Sequence, residues 1–276
     1  MSARHLYVVA AQEFVVLLRT RWVSGFALLF LVLVSGFAWF GTANLGIAGI
    51  QDFSRTTVSL VNLVCALGPL LALLMGVYGL TIEPGSEELL FSQPVSRVAI
   101  LVGKALGLYA TLCLSTLIGF GAAGAIISYR IGTAGLGQYL LFIGLTLLLQ
   151  AAFVSVALFI SSFFQHRLRA IAAGLATWFF FVFLYDLLVI GSTLGMKGRL
   201  FQQALFISVF FNPVDLIRVS QLVALNGTSF FGPAGAAWVR FCGGDLSLAL
   251  MISGTVLLWT VLPAYVGLIL YERRDM

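Results

Sequence analysis

The densest group of ionisable side chains in this 276-residue chain lies between two long apolar stretches. Glu83, Glu87 and Glu88 surround Pro84, Gly85 and Ser86, lead into Leu89, Leu90 and Phe91, and are closed by Pro94 and Arg97, with Lys104 further on. Acidic shoulders around an apolar tip suit recognition rather than bond chemistry: the carboxylates offer charge pairing and the tip is costly to leave in water. A docking element and a loop folded back on lipid headgroups both satisfy that pattern. Residues able to carry a reaction are scarce. No GxxxxGK[ST] cradle for nucleotide phosphates occurs. The two histidines, His5 and His166, form neither HExxH nor a base beside a nucleophile. Cys65, Cys113 and Cys242 make no CxxC and no even disulfide framework. Methionines, cysteines and histidines show no i, i+3 or i+4 pair inside an apolar run, so no soft-metal relay is written there. Rings of carboxylates and carbonyl-lined filter sequences are missing as well. The expectation is a non-catalytic chain with no metal or cofactor of its own.

The elements that must position the acidic segment are set by composition. At 61% hydrophobic and 9% charged residues, the chain is far more apolar than a soluble domain, which holds about 45 to 50% apolar and about 25% charged residues. Runs of the roughly 20 residues needed to cross a bilayer lie at 22–42, 57–82, 98–128, 138–164, 168–191 and 246–271. They lack the alternation of barrel strands, and backbone amides in hydrocarbon must be satisfied internally, so the runs predict helices and an all-α polytopic membrane protein with six spans in a single domain. Arg4, Arg19, Arg21, Arg97, Lys104, Arg167, Arg169, Arg273 and Arg274 fall on one side, against Arg55 and Arg130 in the short loops of the other and Lys197, Arg199, Arg218 and Arg240 in its long loop, where charges weigh less. This asymmetry puts both chain ends and segment 83–97 in the cytoplasm. The net charge of +5 sits mainly at span ends, where it meets anionic headgroups. It does not call for nucleic acid. Charges scattered through the first 21 residues, with no small-residue cleavage site, argue against a cleaved signal peptide.

Residues 1–20 predict an amphipathic helix lying in the interface, with Tyr7, Ala10, Ala11, Phe14 and Leu18 on one face and His5, Gln12 and Arg19 on the other. Arg19, Arg21 and Trp22 then mark the headgroup level where the chain enters the membrane. Asn62, Pro69, Gln150 and Pro263 fall inside spans and need partners on neighbouring helices. Asp186, near the far end of the fifth span, is expected to reach the interface rather than face a polar cavity. Ala170 and Gly174, spaced for close helix approach, are a candidate dimer face. Residues 192–245 form the one sizeable outer segment. In it Asn212-Pro213-Val214-Asp215 is a good helix start, combining an N-cap side chain, proline at the first position and a carboxylate at the positive end of the dipole. The helix to Leu225 is too short to span and too apolar to be solvated, so it is expected in the outer leaflet or against a partner.

Segment 83–97 has the punctuation of a short helix. Pro84 suits its first turn, Gly85 permits the change of direction, Glu87 and Glu88 complement the dipole, and Pro94 ends it. The run Glu83, Gly85, Glu87, Leu89-Leu90, Ser92, Pro94-Val95-Ser96-Arg97 and Gly103-Lys104 resembles the signature of ABC-2 type transporter permeases, departing from it mildly at Ser86, where threonine is usual, and at Pro84. Gln12-Glu13-Phe14 with Arg19 and Arg21 before Trp22 resembles that family's elbow helix. Phe211-Asn212-Pro213-Val214-Asp215 with Arg218 resembles its segment before the last span.

The resemblance implies a homodimer in a bacterial inner membrane. Leu89, Leu90 and Phe91 would fill a groove of a separate cytoplasmic ATPase that binds ATP and magnesium, Glu83, Glu87 and Glu88 would add charge pairing, and Gly85 and Pro94 would set the ends of the lever. Asn212, Pro213, Asp215 and Arg218 would face a periplasmic partner. Length and wording resemble most the permeases that assist copper-centre assembly of nitrous oxide reductase, which implies a β-helical periplasmic partner. An exporter of a lipid, polysaccharide, drug or small sulfur species is the alternative. The few polar groups in the spans argue against a strongly polar cargo.

Overall fold

A computed structural model of the chain describes residues 3–43, 49–81, 96–131, 136–193, 198–226, 243 and 245–273. Every element among them is helical, and no strand occurs among the described residues. In chain order they are α1 (Ala3–Arg19), α2 (Arg21–Ala43), α3 (Gly49–Leu80), α4 (Arg97–Ile131), α5 (Leu136–Phe163), α6 (Arg167–Phe179), a π-helical turn (Phe180–Leu184), α7 (Tyr185–Thr193), α8 (Arg199–Phe211), α9 (Pro213–Asn226) and α10 (Asp245–Glu272). Five of the six expected spans correspond to helices long and apolar enough to cross a membrane, α3, α4, α5, the continuous α6–π–α7 rod and α10, whereas the first falls on α2, whose apolar stretch among the described residues is the shorter Ala27–Phe40. The chain is a multi-pass membrane protein.

Two of the helices outrun their predicted spans. At about 1.5 Å per residue, the 32 residues of α3 and the 35 of α4 exceed the roughly 30 Å of hydrocarbon, so both carry turns beyond the apolar layer. The start of α4 has a local cause: Ser96 Oγ accepts the Ala99 N–H at 3.3 Å, an N-cap bond.

Helix α5 is the axis of the bundle, in contact with α3, α4, α9 and α10. Close packing without a hydrophobic drive between helices needs small residues at the crossings. A methyl on Gly76 would stand 2.5 Å from Ala157 Cβ, and one on Gly267 would stand 2.6 Å from Leu158 Cδ2, so α3 and α10 both approach α5 through glycine. Two buried amides bond across helices at the axis, although Gln150 Oε1 itself has no hydrogen-bond partner among the described residues. Gln150 donates to Thr116 Oγ1 at 2.8 Å, and Gln221 donates to Thr146 Oγ1 at 2.9 Å. Pro69 lies inside α3, one turn beyond Ala66, whose carbonyl accepts the Trp178 indole N–H at 2.8 Å.

The largest departure from expectation is the segment between α7 and α10. Helices α8 and α9 meet at a bend of 105° at Asn212. Instead of lying in the leaflet or on a partner, α9 packs on α3 and α5 of its own chain, with Val214, Leu216, Ile217 and Gln221 all buried. The apolar content that excluded a solvated helix is explained by this wedge.

Candidate functional site

Each end of the bundle carries a cluster of side chains that ties several helices together. The first, the basic end, holds α1, the close of α3 and the starts of α4 and α6. Helix α1 is seated on α4 at two glycines. A methyl on Gly103 would stand 2.8 Å from Val9 Cγ1, and one on Gly107 would stand 2.5 Å from the Ala10 carbonyl oxygen and 2.8 Å from Glu13 Cβ. Lys104, between them in sequence, donates to the Gly79 carbonyl at 3.1 Å and pairs with Glu13 Oε2 at 3.7 Å. A cation at the last carbonyls of α3 also suits the negative end of that helix's dipole. Across the same turn, the Arg167 guanidinium, at the first residue of α6, lies 4.5 Å above the Tyr78 ring. The last turn of α3 is therefore gripped from α1, α4 and α6. It leads directly into segment 82–95.

The docking residues Glu83, Gly85, Glu87, Glu88, Leu89, Leu90, Phe91 and Pro94 lie outside the described residues. Arg97 opens α4. Of the elbow residues, Glu13 faces the bundle, Arg19 ends α1, and Arg21 and Trp22 form the first turn of α2. The face of α1 differs from the expected one. Glu13 and Leu17 turn inward with Val9 and Ala10, whereas Tyr7 and Leu18 point away from the bundle. Tyr7 and Leu18 are apolar enough to be at home in lipid, so the same hydrophobic period serves both surroundings.

The second cluster, at the loop end, is built around Asn212, which is fully buried. Its Oδ1 accepts the Val214 N–H at 2.9 Å, the N-cap bond expected of α9. Its Nδ2 donates to the Phe181 carbonyl at 2.8 Å and to Asp215 Oδ2 at 2.7 Å. Phe181 belongs to the π-helical turn, in which the Tyr185 N–H reaches back to the Phe180 carbonyl. A widened turn of this kind re-routes the backbone ladder, and Asn212 bonds within it. Arg218 then bridges two carboxylates, Asp215 Oδ1 at 2.9 Å and Asp186 Oδ2 at 3.3 Å. Asp186 thus belongs to an inter-helix charge cluster while its side chain stays 41% accessible. Helix α8 is fixed at the same place. The Tyr185 hydroxyl donates to the Ser208 carbonyl at 2.6 Å and the Trp259 indole to the Phe210 carbonyl at 3.4 Å, satisfying carbonyls that a helix C-terminus leaves open.

Asn212, Pro213, Asp215 and Arg218, expected to face a periplasmic partner, are brought together by the fold and turned toward α6–π–α7. Pro213 itself is buried. Ala170 and Gly174, expected at a dimer face, are buried inside the chain, where a methyl on Gly174 would meet Val77 of α3 at 3.4 Å. The small-residue pair serves an internal contact. Sequence reasoning missed Gly107, although its four-residue spacing from Gly103 is the small-residue pattern it had used elsewhere. It also missed Tyr185 and Trp259 as carbonyl caps, for which no sequence signal exists. Among the described residues no group of His, Cys, Asp and Glu is arranged to hold a metal ion.

A sequence profile described as the ABC-2 family transporter protein matches residues 7–276. The chain is 34% identical over 268 residues to a protein of Pseudomonas aeruginosa named "Probable ABC transporter permease protein NosY", covering 95% of this chain and 94% of that one. A protein of the same name from Stutzerimonas stutzeri is 32% identical over 256 residues, covering 91% and 89%.

Proposed function

Because the chain belongs to the ABC-2 family of transporter permeases, we propose that this NosY-type membrane subunit converts ATP hydrolysis on separate cytoplasmic ATPases into movement of its outer helix pair. It does so as a homodimer in the bacterial inner membrane, with both chain ends in the cytoplasm. The observation that carries this reading is the unbroken mechanical route between the two clusters. Segment 83–97 joins α3 to α4; the last turn of α3 is gripped by Arg167, the first residue of α6; α6–π–α7 runs to the other end as one rod; and Asn212 and Arg218 clasp that rod to α9. A push on the docking segment therefore reaches α8 and α9 without crossing a loop.

In this reading the ATPase binds ATP and magnesium, and Leu89, Leu90 and Phe91 dock on it. The outer helix pair acts on a periplasmic β-helical protein of the NosD kind, in service of copper-centre assembly of nitrous oxide reductase. The membrane subunit itself is non-catalytic. The test is co-purification of the ATPase with a Leu89→Asp, Leu90→Asp double variant. Loss of the ATPase from an otherwise folded membrane subunit is the expected result, and intact association overturns the docking role.

A further inference from the structure

Three interruptions of regular helix meet beside one another in the bundle. The first is Gly68-Pro69 in α3. Proline has no N–H for the Cys65 carbonyl, and its ring crowds the turn before it. A methyl on Gly68 would meet only Gln150 Cγ, at 4.0 Å, so no helix crossing demands glycine there and its effect is to soften the same turn. The second interruption is the π-helical turn Phe180–Leu184, and the third is the 105° bend at Asn212. Features of these kinds are where helices bend. Directed bonds join them pairwise. From the rod to α3, the Trp178 indole N–H donates to the Ala66 carbonyl at 2.8 Å, in the turn that Pro69 disturbs. From α9 to the rod, the Asn212 amide donates to the Phe181 carbonyl at 2.8 Å, inside the π-helical turn. From α3 to α9, the Cys65 thiol donates to Gln221 Oε1 at 3.5 Å. Trp178 also packs edge-on against Phe183 of the π-helical turn, with ring centres 5.5 Å apart. One side chain thus touches two of the three interruptions.

From this arrangement we infer that the three interruptions form one hinge, with Trp178 as the positioning residue that makes α3 and the rod bend together. A bend of α3 at Pro69 carries the Ala66 carbonyl, and the indole bonded to it carries the start of the π-helical turn. That turn carries Asn212, and with it the root of α9. The Cys65–Gln221 contact closes the triangle, so α9 cannot turn without α3. That the hinge serves ATP-driven movement rests on the function proposed above; that it is a single cooperative unit does not. The Leu89→Asp, Leu90→Asp variant, which tests docking, leaves the hinge intact, so the two readings fail separately.

Hydrogen–deuterium exchange of the full chain in lipid nanodiscs tests the unit without an ATPase. Trp178→Phe keeps a ring beside Phe183 and removes the N–H. It should speed amide exchange by roughly five-fold, the net effect of one hydrogen bond, in the turn after Ala66, in Phe180–Leu184 and at Val214 alike. Pro69→Ala completes the ladder of α3 and should slow exchange at the same three places. Helices α1 and α4 should keep wild-type rates in both variants. A change confined to the turn after Ala66 in either variant overturns the inference, because the interruptions would then be independent. Unchanged rates in Trp178→Phe overturn it as well, and so do rates altered in α1 and α4, since the indole would then hold the whole bundle and not a hinge. With the ATPase bound, adding ATP and magnesium should alter the Val214 rate in the wild type and leave it unaltered in Trp178→Phe, although the ATPase still co-purifies. An equal response in both overturns the positioning role of Trp178. A wild type without response counts against the movement reading, and the comparison without the ATPase then decides the hinge.

Discussion

The two ends of the bundle are held by different physics. At the basic end α1 is kept in place mainly by shape: Gly103 and Gly107 let two helices touch, and the Lys104–Glu13 ion pair spans 3.7 Å between side chains that water partly reaches. At the loop end α9 is kept in place by directed bonds from a buried amide and a two-carboxylate, one-cation cluster. Shape complementarity tolerates small sliding, whereas a hydrogen bond to one carbonyl does not. The difference suits a part that receives a push at one end and a part that must deliver it in register at the other.

If the loop end is held by bonds, removing them should cost most there. Asn212→Ala strips the cap from α9 and strands the Phe181 carbonyl and the Val214 amide, a loss of about 2 to 4 kcal/mol when a cap and buried unsatisfied groups are combined. Thermal unfolding of the detergent-solubilised chain should show a larger drop in midpoint for this substitution than for any at the basic end. A midpoint near wild type would mean that apolar burial of α9, and not the clasp, fixes the segment. Arg218→Met follows. It leaves Asp186 and Asp215 facing each other, and their partial exposure, with side chains 41% and 14% accessible, holds the cost to about 2 kcal/mol, below the range for a fully buried pair. Adding Asp186→Asn to Arg218→Met should recover part of that loss. If it does not, the cluster contributes packing rather than charge.

These two sites also mark where sequence reasoning stops. The start of α9 was legible because capping is local: Asn212, Pro213 and Asp215 lie within one turn, and their chemistry can be read without knowing the fold. Five of the six expected spans were legible for a similar reason, since a bilayer imposes a length that hydropathy records directly. The clasp was not legible. Asp186 and Arg218 are 32 positions apart, and nothing in Phe180–Leu184 distinguishes a π-helical turn from an ordinary one. The buried face of α1 was hidden for another reason. In a soluble protein the apolar stripe of a helix points to its core, but here lipid accepts Tyr7 and Leu18 as readily as a core would. The inward-facing side is instead betrayed by the residues opposite it, the glycines of α4.

Gly107→Ala tests the role of those glycines at the basic end. The added methyl would fall 2.5 Å from the backbone oxygen of Ala10, which cannot move out of the way as a side-chain tip can. Overpacking of this sort costs about 1 to 3 kcal/mol, so α1 should lift from α4, with faster proteolysis within residues 3–19 while the remaining spans stay protected. Unchanged protection would show that α1 slides along α4 to absorb the methyl.

Lys104→Met should have the smallest effect, and its smallness is the sharpest part of the comparison. The Glu13 pair is long and partly solvated, so its own contribution is in the range of about 0 to 1 kcal/mol, and the methionine keeps the apolar stem that packs against α1. The bond to the Gly79 carbonyl is lost too, but the close of α3 lies at the headgroup level, where water can replace it. A double-mutant cycle with Glu13→Gln separates the two contributions, because Glu13→Gln removes the pair and leaves the Gly79 bond. A coupling below about 1 kcal/mol keeps the basic end a matter of shape. A coupling as large as the loss from Asn212→Ala would erase the contrast, and α1 would then be locked to α4 by charge as firmly as α9 is locked to the π-helical turn by its amide.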